Sequence, residues 1–223
     1  MSYPARSLPF GRRSFMAAAA LAGFGWIGPP ILARASTDLP EEPADPPSDL
    51  AAEEPVDPFV LLARAELARL GTAIAQHDLV GIADFSLPSN QPRFHIVDVE
   101  AGRVLHSFLV AHGRGSDPQH SGRVRRFSNE VGSNASSDGA YRTGERYVGK
   151  HGRSIRLDGL DASNSNAEVR AIVIHSAPYV SPAVLQAQGK LGRSEGCFVF
   201  SEDDHEVVLD RLGPDRLLLA GKF

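Results

Sequence analysis

The sequence predicts a mainly β domain carrying a few helices. Short apolar runs rich in Val, Ile, Leu and Phe recur from Leu79 onward, bounded by Gly-, Ser- and Asn-rich segments. Two of these runs flank Glu100-Ala101-Gly102-Arg103, the spacing of a β-hairpin. Helical patterns are few, and each opens on a capping residue. A chain of 223 residues suits one ordinary domain that buries its own core, placed at residues 58–223.

The formal charge of −4 is unevenly spread. Residues 1–35 hold four Arg and no acid, and residues 36–57 hold eight acids and no base. The remaining Lys/Arg and Asp/Glu balance, so bulk charge gives no case for nucleic-acid binding.

Taken in order, residues 1–35 read as a targeting segment. Gly11-Arg12-Arg13-Ser14-Phe15-Met16 is a paired-arginine head, residues 17–28 are a weakly apolar Ala/Gly stretch, and Ala33-Arg34-Ala35 is an A-x-A cleavage site. The pattern resembles a twin-arginine export signal cut after Ala35. A membrane anchor is the competing reading, but the apolar run falls short of the ~20 residues that span a bilayer. Export places the mature protein in the periplasm, with no membrane contact after cleavage. Residues 36–57 are rich in Pro, Glu, Asp and Ala, cannot offset the entropy of ordering, and read as a disordered acidic linker.

Asp57-Pro58 supplies an N-cap and first helical residue. Phe59, Ala63, Leu67, Leu70 and Ile74 then form one apolar stripe on a helix ending near His77, which is core packing. Strands follow at 80–85, 94–99 and 104–111, the last two a hairpin. Residues 112–150 read as a long Gly/Ser/Asn/Arg-rich excursion, and loops of that length carry function. Later strands fall at 154–157, 171–174, 198–200 and 217–220. Ser181-Pro182 opens a short helix ending at Gly189, and Ser201 with Asp204 forms a capping box for a helix to Arg211.

Chemistry concentrates between Arg170 and Phe200. The run Ala171-Ile-Val-Ile174 suits a buried strand that delivers His175 at its end. Gly196-Cys197 opens a second apolar run. Cys197 is the one cysteine of the chain, and a lone cysteine in an exported protein points to a free reactive thiol or an intermolecular partner. A buried small hydrophobe is the alternative fate of a free cysteine. A His and a Cys within hydrogen-bond reach form a thiolate–imidazolium nucleophile, and they need to be neighbours only in the fold. Cys197 is then the nucleophile and His175 the general base and acid. Ser176 either orients the imidazole through its hydroxyl or carbonyl or caps the strand end. Backbone N–H groups at Gly196 and Cys197 are candidates for an oxyanion site. The other histidines show no metal-binding spacing, so no metal or other cofactor is expected. Among them His112 has the most site potential.

The motif His175…Gly192-Arg193-Ser194-Glu195-Gly196-Cys197 resembles the signature of the YkuD-type L,D-transpeptidases, in the murein L,D-transpeptidase catalytic domain branch. Asp84-Phe85-Ser86-Leu87-Pro88-Ser89, Val110-Ala111-His112-Gly113-Arg114, Arg126-Phe127-Ser128-Asn129, Gly132-Ser133 to Tyr141-Arg142-Thr143-Gly144-Glu145, Gly149-Lys150-His151-Gly152 and Arg156-Leu157-Asp158-Gly159-Leu160 match as well. The resemblance spans residues 79–220. It implies a mainly β, sandwich- or barrel-like catalytic domain acting on peptidoglycan stem peptides, as donor and acceptor. It brings Tyr141 and His151 toward the cleft, each as substrate contact or scaffold. Ser194 lines the pocket or holds the loop, and Arg193 either offers a planar fork to a stem-peptide carboxylate or is simply solvated. One departure matters: the family carries His directly before Gly-Cys, and Glu195 stands there. A carboxylate raises the pKa of a nearby thiol, so Glu195 is expected to point away from the sulfur or to meet a cation such as the acceptor amine.

Three functions compete. The first is a periplasmic cysteine L,D-transpeptidase, with hydrolysis of the same bonds, as a carboxypeptidase or endopeptidase, as its close variant. The second is a non-catalytic peptidoglycan-binding module. The third, a thiol redox protein, is disfavoured because the chain holds no resolving cysteine. Oligomeric state has no sequence signal.

Overall fold

A computed structural model describes residues 55–223. The export segment and all but the last three residues of the acidic linker lie outside the described residues. Among the described residues no helix is long and apolar enough to cross a membrane.

Helix α1 spans Pro58–Leu70, with the Asp57 carboxylate accepting the Phe59 N–H at 2.8 Å. It ends earlier than its apolar stripe predicts. Gly71 takes φ +53°, its N–H caps the Leu67 carbonyl, and a single 3₁₀ turn follows. Ile74 is still buried, but reaches the core from extended backbone.

One mixed sheet of eight strands makes up the rest: β1 Leu79–Asp84, β2 Phe94–Asp98, β3 Arg103–Phe108, β4 Gly139–Gly149, β5 Gly152–Gly159, β6 Val173–Ser176, β7 Phe198–Phe200 and β8 Leu217–Gly221. Their spatial order is β3-β2-β1-β8-β4-β5-β6-β7. The β1–β8 and β6–β7 pairs are parallel and the other neighbours antiparallel. The sheet is open, yet the chain just after β3 meets its far edge: Ala111 N–H donates to the Val199 carbonyl at 2.9 Å. The expected hairpin is β2–β3, closing at Asp98↔Arg103.

Strand periodicity divides the apolar residues between two cores. Val80, Ile82, Leu217 and Leu219 face α1 and pack on Val60, Ala63 and Leu67. Their alternates Ala83, Leu218 and Ala220 face the larger core with Phe94, Phe198 and Phe200. Burial on both faces explains why 217–220 is an unbroken apolar run. Helices α2 (Pro182–Gln188) and α3 (Glu202–Arg211) lie where their caps predict, with Ser181 Oγ accepting from Val184 N–H and Ser201 Oγ from Asp204 N–H. Gly189 closes α2 in the left-handed conformation.

Two expectations need correction. The 112–150 excursion is not all loop, because residues 139–149 form β4, the longest strand, paired with β5 on one side and β8 on the other. Half of β4 projects beyond the core as a hairpin with β5, so its sequence lacks a strand's apolar signal. The strand leading to His175 begins at Val173 rather than Ala171, which takes φ +52° and belongs to the turn before it.

Candidate active site

Alternation along β6 and β7 builds the site. In the parallel register Ile174↔Phe198 and His175↔Val199, the side chains of Ile174, Phe198 and Phe200 enter the main core. Val173, His175 and Cys197 therefore share the opposite face. They line a cleft of about 360 Å³ together with Arg114, Tyr147, Lys150, His151, Arg170, Ala171, Tyr179, Arg193, Ser194 and Glu195.

His175 is 3 % exposed. Its Nδ1 lies 2.9 Å from the Ser176 carbonyl oxygen. A carbonyl only accepts, so Nδ1 carries the proton and Nε2 is left with a free lone pair. Burial, reinforced by His151, His205 and Lys150, pushes the imidazole pKa down to about 4, against the pull of the Ser176 carbonyl. His151, from the β4–β5 turn, stacks on the His175 ring with centroids 4.2 Å apart and planes 17° from parallel.

Cys197 is partly buried, and its Sγ lies 3.6 Å from the Ala171 carbonyl oxygen. Burial raises the thiol pKa and Glu195 adds to the rise, while the Val173 N–H, Lys150 and Arg170 oppose it. Both shifts favour the uncharged thiol and imidazole at neutral pH over the expected thiolate–imidazolium pair.

The cysteine loop is tightly fixed. Ser194 Oγ donates to the Cys197 carbonyl at 2.8 Å and accepts the Gly196 N–H at 3.1 Å. Ser194 N–H in turn donates to the His112 carbonyl at 2.9 Å. Gly196 takes φ +122°, and a Cβ there would sit 2.6 Å from Ile172 Cδ1 and 2.7 Å from the Ala135 carbonyl oxygen. The Gly196 N–H, one of the two expected oxyanion donors, is thus committed to Ser194. Arg170 crosses behind the loop, donating to Ser128 O at 2.7 Å and to Ala135 O. Arg193 lines the cleft but ties down the neighbouring loop by donating to the Asp117 carbonyl. Glu195 meets a cation, as one of its two expected outcomes had it: Arg114 lies 2.9 Å away, with both side chains more than half exposed.

Four sequence candidates are not among the residues lining the cleft: Ser176 lines the adjoining cavity, Gly196 is buried in the cysteine loop, and Tyr141 and His112 lie in the interior. Tyr141 is fully buried, its hydroxyl donating to Ser137 O at 2.9 Å and its ring edge-on to Phe198. His112 is 1 % exposed, its Nδ1 accepting from Arg93 at 2.7 Å and its Nε2 lying 3.5 Å from Asp117. Burial pushes its pKa down to about 3. Its carbonyl holds the Ser194 N–H. Tyr179, Lys150 and Arg170, which no sequence motif marks as site residues, also line the cleft. Tyr179, whose phenol burial pushes up to about 12, also lines an adjoining cavity of about 680 Å³. Lys150 stands beside His151 in the glycine-flanked turn Gly149–Gly152, a hairpin signal that was legible. Among the described residues no group of His, Cys, Asp and Glu is placed to hold a metal ion.

The sequence pattern of the L,D-transpeptidase catalytic domain (YkuD_2) matches residues 61–220, most of the described chain. The chain belongs to this family. No curated protein matches its sequence. Solved structures similar to it include an L,D-transpeptidase from Mycobacterium smegmatis, 15 % identical, with a TM-score of 0.39, covering 65 % of this chain and 58 % of that one. L,D-transpeptidase 1 from Mycobacterium tuberculosis is 15 % identical, with a TM-score of 0.37 and coverage of 64 % and 60 %. An L,D-transpeptidase from Stackebrandtia nassauensis is 11 % identical, with a TM-score of 0.40 and coverage of 66 % and 57 %. The chain thus spans less than two thirds of each of those structures.

Proposed function

We propose that this family member is a periplasmic L,D-transpeptidase that cross-links peptidoglycan stem peptides through a thioester on Cys197. The observation that carries the reading is the placement of His175 and Cys197 on one face of adjacent parallel strands, lining one cleft, with the His175 tautomer set by Ser176.

The uncharged resting pair implies general-base catalysis rather than attack by a standing thiolate. As Sγ attacks the carbonyl carbon of the donor's L-centre, its proton passes to His175 Nε2. The tetrahedral oxyanion is met by the Cys197 N–H. Collapse breaks the carbon–nitrogen bond, and the departing amine takes the proton from His175. The acceptor amine then attacks the thioester, gives its proton to His175, and releases Cys197, which recovers its own. Arg193 and Lys150 supply positive charge to a peptide carboxylate in the cleft. The N-terminal arginine pair and A-x-A site support a twin-arginine export route.

The reading is tested by incubating the chain with purified disaccharide-tetrapeptide and analysing products by mass spectrometry. Transpeptidation predicts a cross-linked dimer with wild type and none with Cys197→Ala. Tripeptide without dimer would assign the activity to hydrolysis, and saturable wall binding that is indifferent to Cys197→Ala, without product, would assign the chain to the binding-module reading.

A further inference from the structure

The mechanism uses His175 but leaves the imidazole stacked on it without a role. His151 is exposed, yet it is not placed by a free loop: β4 and β5 pair from Tyr141↔Gly159 to Gly149↔Gly152, and the turn at their end carries Lys150 and His151. The ring-centroid distance of 4.2 Å and the 17° interplanar angle describe two rings in flat contact. On its other side His175 is held by the bond from Nδ1 to the Ser176 carbonyl. One hydrogen bond fixes where Nδ1 points but leaves the ring free to tilt about it. A ring packed flat on the exposed face removes that freedom.

We propose that His151 is a positioning residue of this site: from the tip of the β4–β5 hairpin its ring sets the plane of His175 and covers the side of the base that would otherwise face solvent. The proposal rests on His175 acting as the base. The hairpin thereby becomes part of the active site, and its placement decides whether the base is aligned. The electrostatics agree. Lys150 and His151 from the hairpin and His205 from α3 all disfavour a proton on His175, on top of its burial. Lys150, His151 and Tyr179 line both the cysteine cleft and the adjoining cavity, so His151 borders the two.

Two alternative roles for His151 use a ring nitrogen, as a substrate contact or as a proton carrier. Positioning needs only a flat ring. The test compares His151→Ala and His151→Phe in the full chain, by steady-state kinetics and by NMR of the His175 ring. Positioning predicts a loss in kcat on the order of 10- to 100-fold for His151→Ala with KM within about threefold, and recovery to within about threefold of wild-type kcat for His151→Phe. In the substrate-free protein it predicts contacts between the two rings' protons in wild type, and a His175 titration midpoint that rises from about 4 toward the ordinary histidine range in His151→Ala. Rings without mutual contacts in wild type, full kcat in His151→Ala, a change in KM alone, or a His151→Phe as impaired as His151→Ala would each overturn it. The NMR arm needs no substrate, so it decides the stack even if the transpeptidase reading fails.

Discussion

The pKa shifts of the Cys197 thiol and the His175 imidazole, one raised and the other lowered chiefly by burial, favour the uncharged form of both at neutral pH. This has two consequences for pH. Alkylation of Cys197 by iodoacetamide is expected to be slow at neutral pH and to accelerate into the alkaline range, because the thiolate fraction grows only as pH approaches the raised thiol pKa. A fast plateau reaching down to acidic pH would reveal a standing ion pair instead. The acid limb of kcat/KM should lie near pH 4, where His175 takes up the proton that stops it acting as a base. Gly196 gives a third residue-scale expectation. Its φ of +122° and the two contacts a Cβ would make, at 2.6 and 2.7 Å, predict that Gly196→Ala displaces Cys197. Turnover should fall about 100-fold or more, with a stability loss of about 1–3 kcal/mol by chemical denaturation. The placement of His175 on a strand and of Cys197 at the start of the next was legible from sequence, because apolar runs and a glycine mark those positions. Tyr141 and His112 were assigned to the cleft and lie in the core, since a sequence does not distinguish a buried polar group with partners from one facing a ligand.

Elements whose apolar residues follow a period were legible, and those without one were not. Helix α1 was found, but its end was overrun because Ile74 continues the stripe and is buried from extended backbone, while Gly71 breaks the helix. Strand β4 was missed because its outer half, from Glu145 to Gly149, has little to bury. That missed hairpin delivers Lys150 and His151 to the cleft, so part of the site was hidden along with the strand. Helix α1 contributes no residue to the cysteine cleft. Leu67→Ala removes a side chain buried against β1 and β8 and should destabilise the fold by about 2–5 kcal/mol, read by thermal or chemical denaturation. Turnover per folded molecule should be unchanged, and a loss of kcat without a loss of stability would contradict the division between the two cores.

Across the whole molecule, His95, His112, His175 and His205 are buried with lowered pKa values, each chiefly through burial. In the unfolded chain they titrate near the ordinary histidine value, about 6.5. As pH falls through that value the unfolded state binds protons that the folded state does not, so stability drops. For His175 the drop continues until pH reaches about 4, and for His112 until about 3. The melting temperature should therefore decline steadily from about pH 6.5 downward, with little contribution from these residues above it. A melting temperature constant between pH 7 and pH 4 would contradict this.

The proposed function turns on one covalent step at Cys197. Intact-protein mass spectrometry of the chain mixed briefly with disaccharide-tetrapeptide and quenched in acid tests that step most directly. The expected result is a mass increase equal to the donor less its terminal residue, on wild type alone, which mapping of the digested protein places on the peptide containing Cys197. Cross-linked product forming with no adduct on that peptide, or an adduct of the same mass persisting in Cys197→Ala, would contradict it.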